Sequence, residues 1–489
     1  MKVSARNGVQ NNAKALQVPA LIALAVVRNT AVQSESLGTT QSFAWLRLLP
    51  CLAMATKAAV TPRTRSAAWP LLVLVLVNIV NFYDRHVPGA LAEPIRHEFH
   101  LTDAQLGWIG SVFIWLYALV GVPLGRLADT ASRKRLLSAG LTVWGLLSGY
   151  AAWATSYALL VFSRLGVGVG EAACAPAATS WIGDLFPPER RARPLALFML
   201  GVPIGGALSF FFSGPIALAF GWRKAMIAAA IPALLLVPAV MLIREPERGA
   251  SERAAAPPGS AWKLLGIPTF WWIVLSGILV NFSLYAVGTF LPAFLGRIHH
   301  LNVARAGIYT GVVYAVGGIL GGVLGGTWGD RVMARGRTDG RMLIAAAGAL
   351  AAVPLSYFGI RQHLGELAVA VPLLALAYGA LNMYYGLVYA SLHDIVAPTL
   401  RGTAMAVYFL VMYLGGASFS PLLTGELSDA MARRAAALAG SVSVTEAYRA
   451  IGLQDAMLVI PVLSLLLAAV LWAGSRSILR DSRKIAVSS

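Results

Sequence analysis

Residues 66–85 read SAAWPLLVLVLVNIVNFYDR, uncharged from Ser66 to Tyr83 and then closed by the adjacent pair Asp84-Arg85. A helix crossing a bilayer needs roughly 20 mostly apolar residues. This stretch supplies them, and it ends by setting an acid and a base at hydrocarbon depth. The rest of the chain repeats the pattern. Of 489 residues, 58% are hydrophobic and 12% charged, with a mean hydropathy of +0.70; soluble proteins carry about 25% charged residues. That leaves too little polar surface for a water-soluble body of this size. The apolar runs predict helical spans near 69–92, 105–124, 136–155, 157–181, 195–218 and 224–243, then 267–295, 305–328, 342–360, 367–392, 403–424 and 454–475.

The expected organisation is an N-terminal six-helix bundle over 69–243, a polar linker over 244–264, a C-terminal six-helix bundle over 265–475 and a tail over 476–489. Residues 1–53 hold one short apolar run, Leu16 to Val27, too short to span with confidence. They read as a non-native or disordered extension, with Met54 as the true start and 54–68 as a short basic tail.

The net charge of +18 would suggest nucleic acid in a soluble protein. Here the positive charges gather in alternate loops, for example Arg133, Lys134 and Arg135, then Arg190, Arg191 and Arg193, then Arg331, Arg335, Arg337 and Arg341. The positive-inside rule assigns those loops to the cytoplasm. Both termini are therefore expected there, in the inner (plasma) membrane. Nucleic acid is excluded as a partner because no basic stretch interleaves aromatics outside the spans. The two cysteines, Cys51 and Cys174, lie too far apart to suggest a disulfide framework or a metal site. No cofactor is expected.

The second half echoes the first. Asn81-Phe82 returns as Asn281-Phe282, and His100-Leu101 with Gly107 returns as His300-Leu301 with Gly307. Gly125 and Asp129 return as Gly326 and Asp330, while Pro188, Arg191 and Gly205-Gly206 return as Pro398, Arg401 and Gly415-Gly416. Two parallel copies of six helices are the architecture of alternating-access carriers, whose substrate site lies at the interface near the midplane. The glycines 166, 168 and 170 fall within an apolar helix rather than after a strand, so they read as helix-packing surface, not a dinucleotide fingerprint. No lysine follows a glycine, which removes the phosphate-binding loop of ATPases. An ion or solute gradient is then the expected energy source, and the chain is not read as an enzyme.

The segment from Gly125 through Asp129 to Arg133, Lys134 and Arg135 resembles the loop between the second and third helices of the major facilitator superfamily, although Thr130 and Ser132 stand where basic and glycine residues are usual. Arg164 with Gly168 resembles its fourth-helix motif. Within that superfamily, three segments look like the spinster-type branch: Asn81 to Arg85, Arg164 to Ala172, and Gly183 to Arg191. That resemblance implies twelve helices in two pseudo-symmetric bundles and transport of a small solute, with lysolipid-like substrates among those of the branch. It also implies a cytoplasmic gate, for which Gly125, Asp129, Arg133, Asp330 and Arg331 are the candidates.

Buried ionisable groups in spans are costly and face the bundle interior or a cavity. Asp84 lies about 21 Å into a ~30 Å core, and Arg164 about 12 Å in from the other side, so the two can meet. Glu171 is two turns beyond Arg164, roughly 10 Å further inward. This suggests that Arg164 exchanges between Asp84 and Glu171 as one of them takes a proton. The repeat provides a control: the matching positions are Leu284, Leu374 and about Leu381, so the scaffold does not need these charges. The alternative is a salt bridge that only fastens two helices. Candidate substrate contacts are Arg85, Trp115, Tyr117, Asn281, Tyr285, Tyr378, Asn382 and Tyr385; Tyr and Asn equally often hydrogen-bond between helices.

The reading is thus a monomeric secondary active transporter, proton-coupled, for an amphiphilic or anionic small molecule. An organic-acid or sugar-acid symporter is the alternative within the class. A non-transporting membrane receptor on the same fold is the alternative from outside it.

Overall fold

The computed structural model describes residues 62–187, 190–247, 261–397 and 400–488. The expected extension 1–53 lies outside the described residues. Among the described residues, twelve helices are long and apolar enough to cross a membrane. Spans 1 to 6 are Ala67–Ala90, Asp103–Thr130, Arg133–Trp153, Tyr157–Leu185, Arg193–Phe220 and Trp222–Leu242. Spans 7 to 12 are Pro268–Ile298, Val303–Ala334, Gly340–Ile360, Leu367–Asp394, Arg401–Leu438 and Glu446–Ser482. No strand occurs among the described residues. The chain is an all-α membrane protein of two six-helix bundles.

Local chemistry sets many helix starts. Thr102 and Gln105 form a reciprocal capping box before span 2, and the side chains of Ser132, Ser156 and Asn302 accept from the third residue of spans 3, 4 and 8. Spans 11 and 12 run well past their apolar cores, to Leu438 and from Glu446. Hydropathy misses these extensions because they carry Glu426, Asp429, Arg433, Arg434 and Arg449. Leu and Ala continue the helix there, favoured by intrinsic propensity.

The repeat is visible in the backbone. His100 and His300 are the only described non-glycine residues with positive φ, at 52° and 51°. After each, a leucine N–H turns back, Leu101 to the Arg96 carbonyl and Leu301 to the Gly296 carbonyl, and a capped helix follows.

The halves meet through two crossed pairs of spans. A Cβ built at Gly107 in span 2 would lie 2.2 Å from the Pro421 carbonyl oxygen in span 11, and one at Gly307 in span 8 would lie 2.7 Å from the Phe210 oxygen in span 5. Only glycine permits that approach. At 100° per residue, Gly125 lies on the same face of span 2 as Gly107, yet a Cβ there meets no described atom within 4 Å, and the same holds for Gly322 on span 8. The halves are pressed together at one end and apart at the arginine-rich end.

Candidate substrate and ion-pair site

Span 1 presents Asp84 and Arg85 in directions about 100° apart, and each finds a different partner in span 4. Asp84 Oδ2 accepts from Ser148 Oγ at 2.7 Å and from an Arg164 guanidinium nitrogen at 3.3 Å. Arg85 donates to Glu171 Oε2 from two nitrogens, at 3.1 and 3.3 Å. It also reaches Asn81 Oδ1 at 3.3 Å and, in the other half, the Tyr285 hydroxyl at 3.4 Å. All four charged residues are shielded: Asp84 is 1% exposed, Arg164 3%, Glu171 0% and Arg85 9%.

Glu171 therefore pairs with Arg85, not with Arg164 as the sequence suggested. Sequence spacing gives depth but not which of two guanidinium groups packing will bring within reach. Three buried atoms of the cluster have no hydrogen-bond partner among the described residues: Arg164 Nε, Glu171 Oε1 and Asn81 Nδ2. Glu171 sits at the last turn before the helix breaks at Ala173. Pro176, which lacks an N–H, follows in the first turn of the next segment. Span 10, the counterpart of span 4, is unbroken over Leu367–Asp394.

Aromatic rings surround Arg85. Its guanidinium carbon lies 4.5 Å from the Tyr117 ring centroid, 4.6 Å from Phe82 and 5.3 Å from Phe113. Tyr117 meets Tyr413 across the halves at 5.7 Å, and Tyr413 meets Tyr285 at 6.4 Å. Asn281 accepts from the Tyr385 hydroxyl and donates to the Gly277 carbonyl and Met412 sulfur.

The remaining candidates lie elsewhere. Trp115 packs on Phe419 and Trp108 at the seam. Tyr378 stacks by Tyr314 and lines a small apolar cavity with Leu291, Val313, Leu374 and Met457. Asn382 donates to the Tyr378 carbonyl within its own helix.

Of the expected gate, Asp129, Asp330 and Arg331 are exposed at the open end. Arg133 is fully buried inside the first half, where it bonds Asp184, Glu245, the Ser180 hydroxyl and carbonyl, and the Pro246 carbonyl. It ties three helix ends of one bundle and does not bridge the halves. Burial works against the Glu245 carboxylate, but bonds from Ser132, Arg133 and Lys134 hold it below its ordinary range.

A lock at the opposite end was not among the sequence candidates. Arg297 of span 7 contacts Asp103 at 2.7 and 2.8 Å and Glu93 at 2.7 and 2.9 Å. Asp429 accepts from the backbone N–H groups of Asp103 and Ala104, and Arg96 holds Glu446 at 2.6 Å. Burial pushes the Glu93 carboxyl up, but the His97 hydrogen bond and the charges of Arg297 and Arg96 outweigh it and bring it to about 2.

Two six-helix bundles, closed at one end around a buried ion-pair cluster at their interface, define a twelve-span carrier. The profile described as Major Facilitator Superfamily matches residues 74–421. The chain belongs to the major facilitator superfamily and is a transporter of the spinster type. It is 30% identical over 369 residues to an MFS-type efflux pump of Mycolicibacterium smegmatis, covering 74% of this chain and 85% of that protein. It is 28% identical over 385 residues to protein spinster homolog 1 of Xenopus tropicalis, covering 73% and 72%. Among solved structures, a bacterial homolog of the human lysosomal transporter Spinster, inward-facing and unoccupied, superposes with a TM-score of 0.76 at 27% identity, over 86% of this chain and 99% of that one. A D-xylose-proton symporter shares the fold alone, with a TM-score of 0.62 at 17% identity over 82% and 96%.

Proposed function

We propose that this transporter is a monomeric, proton-coupled secondary carrier of an anionic amphiphile, working by alternating access in the inner membrane with both termini cytoplasmic. The conformation described here is then inward-facing, since the arginine-rich end is the open one. A lysolipid-like substrate fits this reading.

The observation that carries it is Arg85. Its guanidinium stands where the halves meet, neutralised by Glu171 on one side and reaching Tyr285 on the other. A proton added to Glu171 removes that neutralising charge and frees the guanidinium for a substrate anion. A proton on Asp84 does the same for Arg164, whose Nε already lacks a partner. The two pairs lie side by side, so a proton on one carboxylate also alters the field at the other. Proton binding and anion binding are linked through shared arginines.

The rings of Phe82, Phe113 and Tyr117 around Arg85 favour an amphiphile over a polyhydroxylated sugar acid. A ligand-stabilisation screen of lysolipids, sugar acids and cationic drugs would identify the substrate. Proteoliposome uptake with and without a proton gradient then tests coupling. Asp84→Asn and Glu171→Gln should each abolish the gradient dependence, and unimpaired, gradient-driven uptake in both would remove the proposal.

A further inference from the structure

His86 follows the Asp84-Arg85 pair, and the coupling scheme above does not use it. It points away from both. Its ring lies 5.6 Å from the Phe210 ring of span 5 and 5.3 Å from the Tyr314 ring of span 8. Two glycines, one from each half, lie against it in van der Waals range. The tight approach they permit is to Tyr314, whose ring carbon would be 3.1 Å from a Cβ at Gly206 and whose hydroxyl would be 2.7 Å from one at Gly288. A Cβ at Gly206 would come within 3.5 Å of His86 Cε1, and one at Gly288 within 3.4 Å of Cδ2 and 3.6 Å of Nε2. The imidazole occupies a slot that exists only while the halves are closed at this level.

The hydrogen bonding fixes the tautomer. His86 Nδ1 lies 2.8 Å from the Phe82 carbonyl oxygen, one turn back on the same helix. A carbonyl only accepts, so Nδ1 carries the hydrogen and the Nε2 lone pair faces the slot. The charged or titratable neighbours are Tyr83 and Arg85 on span 1, Tyr285 one turn before Gly288 on span 7, and Tyr314 on span 8 with Tyr378 behind it. Span 5 contributes Gly206, Phe210 and no titratable group to the contact. No carboxylate touches the ring among the described residues; Asp84 is turned to Ser148 and Arg164.

We infer that His86 is a further proton-carrying residue of the transport cycle, loaded at Nε2 when the closed end opens and unloaded when the slot re-forms. This rests on the proton-coupled reading above. On opening, the ring stays with Phe82 and Phe210 of its own half and parts from Gly288 and Tyr314 of the other. Water then reaches Nε2, whose lone pair takes a proton to form a second N–H bond. The resulting imidazolium is a cation beside Arg85 with no acid to meet it, so the slot closes only after the proton returns to water. The conformation described here, with the slot shut around a ring bonded at Nδ1 and at no other atom among the described residues, is the unloaded one.

The test measures populations, not flux. Spin labels at Thr155→Cys and Leu364→Cys, two exposed positions at the closed end of opposite halves, report opening in a Cys51→Ser background. The native chain should open progressively as pH falls between about 8 and 5, the range in which imidazole changes charge. His86→Phe keeps the ring contacts and should reduce that response by about two-fold or more over the imidazole range. His86→Gln, which keeps a polar tip, should behave like the phenylalanine variant. Superimposable pH responses of native and variant proteins would overturn the inference. So would direct histidine NMR showing no protonation of His86 across the same range. Should Asp84→Asn and Glu171→Gln leave gradient-driven flux intact, the coupling scheme falls while this population measurement still reads His86.

Discussion

Arg297 bridges the two halves by gripping both carboxylate oxygens of Asp103, at 2.7 and 2.8 Å, while its other contacts go to Glu93. The Arg297 side chain is 5% exposed and that of Asp103 1%, so the pair is almost fully withdrawn from water. Ser428 Oγ adds a bond to Asp103 Oδ2 at 2.6 Å, and the carboxylate of Asp429 receives the start of span 2. One guanidinium thus joins spans 2 and 7, and through Asp103 span 11.

Removing that guanidinium leaves two carboxylates facing each other in a dry seam. Breaking a buried pair by deleting one partner costs about 3–5 kcal/mol. Arg297→Ala should therefore shift the population strongly towards the conformation open at this end, as measured by label distances across the seam. An unchanged distance distribution would mean that the glycine contacts hold the end shut without it.

Glu93 gives the lock a pH limit. Its carboxyl is held at about 2, below the ordinary value near 4.3. A depressed carboxylate contributes stability that is present above its unfolded value and is lost as pH falls through the folded one. The contribution of Glu93 to the closed end should accordingly be complete and independent of pH between neutral pH and about 5, and should be lost only below about 4. The contribution at stake is roughly 3 kcal/mol at 1.36 kcal/mol per unit. Melting temperatures of the native protein and Glu93→Gln should differ by a constant amount above about pH 5 and converge as the pH falls below about 4. Parallel curves throughout would refute this.

Arg133 makes a different prediction from the one its motif suggests. Because it bonds Asp184, Glu245 and Ser180 inside a single bundle, Arg133→Ala should lower the stability of the first half by about 3–5 kcal/mol. Arg133→Lys should recover little, since an ammonium cannot reproduce the fork of bonds. A gate residue would instead shift the opening equilibrium at constant melting temperature, and measuring both quantities separates the two roles.

How far these features are legible in the sequence depends on whether helix geometry alone fixes them. Asp84 and Arg164 can be placed at similar depth because rise per residue is constant, and the repeat fixes two bundles because His100 and His300 return 200 positions apart. The partner of Glu171 is not legible. Depth ranks both arginines as candidates, and only tertiary packing turns Arg85 rather than Arg164 towards it. The lock is hidden for another reason. Glu93, Asp103, Arg297, Asp429 and Glu446 are scattered over some 350 positions, all but Asp429 at helix ends, where charges usually mean solvated loops. The one available signal is that they cluster on the side poor in basic residues, where an arginine is not needed to set topology.

The glycine pair on span 2 tests the opening itself. Gly107 and Gly125 lie on one face of the same helix, and replacing either by alanine gains intrinsic helix stability of about 0.8–1 kcal/mol. Their surroundings differ. A Cβ at Gly107 would sit 2.2 Å from the Pro421 carbonyl oxygen and 2.8 Å from Leu422 Cα, both backbone atoms that cannot swing aside, whereas one at Gly125 meets no described atom within 4 Å. Gly107→Ala should therefore prop the closed end apart and cut transport by about ten-fold or more, equivalent to about 1.4 kcal/mol in the conformational step. The first half should keep its melting temperature, because the clash lies between bundles. Gly125→Ala should be silent in the present conformation and should impair only the opposite one, in which its face of span 2 approaches the second half. Label distances at both ends, read for the two variants side by side, would show opposite shifts if the halves rock about the Arg85 level. Equal shifts would mean that the bundles separate without rocking.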